Sequence, residues 1–155
     1  MNSIQFVQGT NPIRALVFLI LLSGAMLWGK PGAAEGALAI GLPTNVSKDG
    51  FAYAYHIGKE PTDEARRLAL KSCREPSPVK SSQARALCAV IASFRDQCVA
   101  VSEDPQAGTP GVGWSIADTL RKAEAEALAK CEATAGPGRR AACIVDHSQC
   151  DGTAQ

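Results

Sequence analysis

The sequence predicts an α+β fold: two β-β-α-β repeats forming one small disulfide-stapled domain, with a largely antiparallel sheet and two helices. The first observation behind it is a stretch that occurs twice. Glu64 to Cys73 is an Ala/Leu-rich helix ending in Leu-x-x-Cys, followed by a polar loop and a strand from Cys88 to Cys98. Glu124 to Cys131, then Cys143 to Cys150, repeats that order. The second is that all six cysteines fall inside the two copies. The third is a strand-like segment in the same place before each helix, the alternating Phe51 to Tyr55 and Val112 to Ile116. The expected units run from about 36 to 98 and from 99 to 150.

Near its start the chain carries Arg14 and then Ala15 to Trp28, a run of 14 mostly apolar residues. A bilayer span takes roughly 20, so residues 1–34 read as a signal peptide cleaved near Ala34, and residues 35–155 as a single domain. An uncleaved N-terminal segment is the alternative, and the only contact with a membrane that this sequence implies. Removing residues 1–34 takes away Arg14 and Lys30 and no acid, leaving 14 basic against 15 acidic side chains. No basic stripe remains to attract a phosphate backbone, so nucleic acid is disfavoured as a partner.

Six cysteines after an export signal imply disulfides. The intervening spacings of 14, 9, 32, 11 and 6 residues contain none of the close pairs of structural zinc sites, nor a Cys-x-x-Cys redox pair. Six cysteines allow fifteen pairings. The repeat suggests Cys73–Cys88 and Cys131–Cys143 within the copies and Cys98–Cys150 between them.

Gly36 to Gly41 is a short apolar run between glycines and predicts the first strand. Pro43 to Gly50 is turn material. Phe51-Ala52-Tyr53-Ala54-Tyr55 alternates large and small, which puts three aromatics on one face of a second strand, a face that could stack on a ligand but is expected to be core beneath a helix. The two strands predict a hairpin. Thr62 is the expected cap of the first helix, with Asp63 and Glu64 complementing its dipole. Ala65, Leu68, Ala69, Ser72 and Cys73 form one narrow apolar face, and Arg66, Arg67 and Lys71 lie away from it. Glu75 to Arg85 is a charged Pro/Ser loop. Leu87 to Phe94 is near-continuously apolar and predicts a strand buried on both sides. Val99 to Val101 predicts an adjoining strand. Asp118 or Thr119 is the expected cap of the second helix, and Ala142 to Asp146 the last strand.

In this order the motifs resemble a bacterial family, the domain of unknown function 4189. They stand here as Gly36-Ala37-Leu38-Ala39, Gly113-Trp114-Ser115, Ala123 to Cys131, and Cys88-Ala89-Val90, covering about residues 36–150. The resemblance implies a protein exported by bacteria and carries no activity across. The long first hairpin loop and the charged loop after Cys73 depart from the family pattern. Loops set on a rigid scaffold are where a function particular to this chain would sit.

The chemistry is sparse. Asp146-His147-Ser148 invites a hydrolase reading, yet neighbours on a strand point to opposite faces and need a distortion to converge. Aligning the Gln-Cys ends of the copies sets His147 opposite Arg95. His56 reads as a turn residue. Glu124 and Glu126 are two apart on a helix and diverge. Gly108, Gly111 and Gly113 lack the context of a phosphate cradle. No catalytic residue, cofactor or metal ligand is therefore assigned. The expected function is a non-enzymatic protein-binding module in the periplasm or outside the cell, of the inhibitor, immunity or secreted-effector kind. Its expected interaction surface is Arg66, Lys71, Lys80, Arg85, Arg139 and Arg140. The rivals are an envelope hydrolase using His147 and a structural envelope component.

Overall fold

Two three-stranded antiparallel sheets carry the chain, each with a helix on its outer face. The structure, a computed structural model, describes residues 35–58, 61–78 and 81–155. The predicted signal peptide, its cleavage point at Ala34, and Lys80 lie outside the described residues. The first sheet has the order β2-β1-β3, from β1 (Glu35–Gly41), β2 (Ala52–Gly58) and β3 (Ala89–Phe94). The second has the order β5-β4-β6, from β4 (Cys98–Glu103), β5 (Val112–Ala117) and β6 (Ile144–Cys150). Two short helices, α1 (Val46–Asp49) and α3 (Ser82–Ala86), interrupt the predicted loops. The side chains of Asn45 and Ser81 cap them. The long helices are α2 (Thr62–Arg74) and α4 (Leu120–Ala135).

The alternation along the central strands sorts residues by size. In β1, Ala37 and Ala39 turn to α2, where they meet Ala52, Ala65, Ala69 and Cys73. Leu38 and Ile40 turn inward, into one cluster with Phe94, Val99 and Val101. In β4, Ala100 turns to α4, against Ala117, Ala123 and Ala127. Alanine on both sides of a helix–sheet contact lets the backbones approach closely. The larger residues then fill the roughly 10 Å gap between facing sheets. Phe51, Tyr53 and Tyr55 pack on the inward cluster, not under a helix, so the expectation for that face is corrected. It is the alanines of β2 that face α2.

Three further expectations change. The apolar strand β3 is not buried on both sides: it is an edge strand, and Ile91 is 45% exposed. β1 takes the central place, buried along its whole length. Val99 to Val101 does not adjoin β3 but begins the second sheet. Thr62 makes no cap; its hydroxyl donates to Glu35 Oε2 at 2.6 Å. Thr119 does cap α4.

All three disulfides pair as the repeat suggests, Cys73–Cys88, Cys131–Cys143 and Cys98–Cys150. The third does not join the two copies, however. Cys98 opens β4 opposite Cys150 at the close of β6, so the bond lies within the second unit. The strands explain what replaces it in the first. Both third strands carry an extra residue at the same place, Ile91 between the partners of Leu38 and Ala39, and Asp146 between the partners of Val101 and Ser102. Aligned on these bulges, Cys98 matches Glu35 and Cys150 matches Arg95. Glu35 and Arg95 form an ion pair. One unit thus closes its strand ends with a disulfide and the other with opposite charges. In this register His147 matches Ala92, which corrects its alignment with Arg95.

Candidate functional site

The residues expected to form a basic interaction surface do not share one environment. Arg66 and Lys71 are exposed on α2, and Arg140 is exposed in the 3₁₀ turn Arg140–Ala142. Arg85 is half-buried, with Nη1 3.5 Å from the carbonyl of Arg74. Arg139 clamps Asp104, donating from Nε to Oδ2 at 2.8 Å and from Nη2 to Oδ1 at 2.6 Å. Asp104 is buried and also accepts from the Gln106 amide, so the pair holds the β4–β5 loop. The Arg139 guanidinium keeps the Asp104 carboxyl below the usual carboxylate range. A carboxyl with a lowered folded pKa stabilises the fold above its unfolded value, about 3.9, and that contribution is lost as pH falls through the folded value. Arg139→Ala is therefore expected to lower the unfolding midpoint at neutral pH, with the difference from wild type closing below about pH 4. Arg140→Ala, at an exposed position, is expected to leave it unchanged. Denaturant titration across pH measures both.

A second group assembles where β2 of one sheet meets β6 of the other. Asp146 is the extra residue of the β6 bulge and His147 the next one, so the alternation breaks and both turn toward Tyr53. The Tyr53 hydroxyl donates to Asp146 Oδ2. It lies 2.7 Å from His147 Nδ1, which is 3.1 Å from the same carboxylate oxygen. With the Tyr53 hydroxyl hydrogen directed at Asp146, the Tyr53 oxygen is placed to accept from a proton on His147 Nδ1. Ser148 turns the other way and donates to Glu124 Oε1 on α4 at 2.6 Å. The distortion the sequence argument required is present, but it joins Asp146 to His147 and leaves Ser148 out.

These side chains line a cleft of about 620 Å³ together with Phe51, Ala54, Tyr55 and Glu103. Burial, reinforced by the bond to Asp146, pushes the Tyr53 hydroxyl well above its usual pKa. Burial likewise raises Tyr55, with Asp146 adding to it. Tyr53 is thus a fixed donor and not a nucleophile. Glu103, at the end of β4, is raised first by burial and then by Asp146, with His147 opposing. Beside this cleft Phe51 stacks on Trp114, with ring centroids 6.1 Å apart. Trp114 in turn walls a mostly apolar recess of about 770 Å³ with Leu42, Pro43, Val46 and Val112; among the described residues Lys130 is the one charged residue lining it.

The other sequence candidates have structural places. His56 lies within β2, not in a turn. Glu124 and Glu126 diverge as expected, and Glu126 accepts from Ser115 on β5. Gly113 faces the backbone of α4, where a Cβ would sit 2.2 Å from the Ala127 carbonyl oxygen. Among the described residues no group of three or more His, Cys, Asp or Glu is placed to hold a metal ion. Nor is any described helix long and apolar enough to cross a membrane. The sequence places Tyr53 on an aromatic face but gives it no hydrogen-bonding role, and it gives Glu103 none at all. Val145 and Ser148 pair with Ser102 and Ala100 on one face of β4, and that spacing of three, which reveals the bulge, is visible only in the strand register.

A family model described as Domain of unknown function (DUF4189) matches residues 36–150. No curated protein and no solved structure matches the chain.

Proposed function

From a chain that belongs to the Domain of unknown function (DUF4189) family, and so inherits no assigned activity, we propose a non-enzymatic module that binds another protein outside the cytoplasm. The observation that carries it is the aromatic cleft. Phe51, Tyr53 and Tyr55 stand half-exposed along one wall and Trp114 continues the surface. Half-buried tyrosine and tryptophan on a rigid frame supply contact area at little cost in conformational entropy, the composition of interface hot spots. Three disulfides with no free cysteine fit an oxidising compartment. Export by residues 1–34 to the periplasm or the medium would supply it. In this reading the recognition surface is the cleft, and of the basic residues Arg139 is taken up by Asp104. Affinity purification of the oxidised protein from envelope and supernatant tests the reading. A partner recovered in equal amount is expected, lost on Tyr55→Ala and kept on Arg66→Ala; recovery indifferent to Tyr55 removes the cleft from the account.

A second reading, an envelope hydrolase working through His147, has one observation in its favour: the bulge gives His147 a carboxylate partner. Ser148, bound to Glu124, is not available as its nucleophile. Turnover of a cell-wall or ester substrate by the wild type, absent in His147→Ala, would replace the binding reading with this one.

A further inference from the structure

The cleft between β2 and β6 has an electrostatic imbalance inside aromatic walls. Asp146 and Glu103 both reach it; among the described residues no lysine or arginine lines it, and His147 is the one basic group there. Asp146 is satisfied in part by Tyr53 and His147. The Glu103 side chain is half-buried and makes no hydrogen bond or ion pair with the described residues. A half-buried carboxylate with no partner among the described residues is left for a ligand to satisfy.

The complement is a cation, and the lining selects its kind. A metal ion needs a converging set of ligands, which the described residues do not provide. A guanidinium needs none. It is flat, stacks on aromatic faces, and presents a fork of N–H donors matched to a carboxylate. Tyr55 and Phe51 supply the faces and Glu103 the carboxylate. Tyr53 holds Asp146 beside it, so a second negative charge stays fixed as the cation enters. We propose that this cleft is the socket for an arginine side chain presented by the protein partner, a step that rests on the protein-binding reading above.

The test uses acetylarginine amide as the probe, with acetylcitrulline amide as its uncharged counterpart. Ring signals of Tyr53, Tyr55 and His147 in the oxidised protein are followed by NMR during titration. Saturable shifts with the arginine compound and none with the citrulline compound are expected. Affinity should fall about tenfold in Glu103→Gln, from loss of a charged hydrogen bond, with the circular dichroism spectrum unchanged. No shift at these rings, or equal shifts with both compounds, overturns the socket. A captured partner whose affinity is the same for wild type and Glu103→Gln also overturns it, while the protein-binding reading stands. Saturable, Glu103-dependent arginine binding supports the socket even where no partner is recovered, and that result counts against the protein-binding reading alone.

Discussion

Replacing Cys98 and Cys150 together by alanine is expected to lower the unfolding free energy by about 4 kcal/mol. Removing Cys73–Cys88 or Cys131–Cys143 should cost about 3 kcal/mol each. The order follows from the loops the bonds close, with sequence separations of 52, 15 and 12. In the chain-entropy description a longer loop removes more freedom from the unfolded state. Position adds to it, because Cys98 is fully buried at the start of the central strand of its sheet. For a small alanine-rich core, a loss of this size is a large fraction of the 5–15 kcal/mol typical of a domain. Guanidinium titration of the three double variants measures the order. A smaller loss for Cys98/Cys150 than for the other two would mean that the β4–β6 ladder already holds those ends.

Gly113→Ala is expected to destabilise by about 3 kcal/mol, at the upper end of overpacking costs. The added Cβ would lie 2.2 Å from the Ala127 carbonyl oxygen and 2.5 Å from the Cys131 amide nitrogen. Both are helix backbone and cannot swing aside, so α4 itself has to move off the sheet. That displacement would strain the Cys131–Cys143 bridge at the same turn. Gly138→Ala is the control, since nothing lies within 4 Å of its added Cβ. Without a clash, replacing glycine tends to stabilise slightly through the unfolded state, so the two variants should differ in sign. Urea midpoints for both decide it. The close approach also gives a physical reason for the glycine in Gly113-Trp114-Ser115: glycine admits the helix on one face, while Trp114 faces inward on the other.

Much of the fold was legible. The doubled Leu-x-x-Cys helix with its cysteine-bounded strand indicated the repeat and the disulfide pairing. Alternation indicated the β1–β2 hairpin. What was hidden is how the units divide into sheets. Leu87 to Phe94 is apolar enough to read as a buried strand, and a short apolar run does not reveal whether its place is central or at an edge. The low volume of alanine concealed that β1, with Ala37 and Ala39 under α2, is the fully buried strand. The site was less legible still. Period-two alternation sets Asp146 and His147 on opposite faces, and only the bulge turns both toward Tyr53, which lies more than ninety residues earlier in the chain. Arg139 and Arg140 look alike in sequence, and only the fold shows that one of them is already paired with Asp104.

The central claim is that this chain meets its partner through the Tyr53–Tyr55 cleft. The most direct measurement is photo-cross-linking from a benzoylphenylalanine placed in turn at positions 55, 66 and 140 of the oxidised protein, with adducts read by mass spectrometry. The account predicts one discrete protein adduct from position 55 and none from 66 or 140. Adducts confined to 66 or 140 would contradict it and return the interaction to the basic surface.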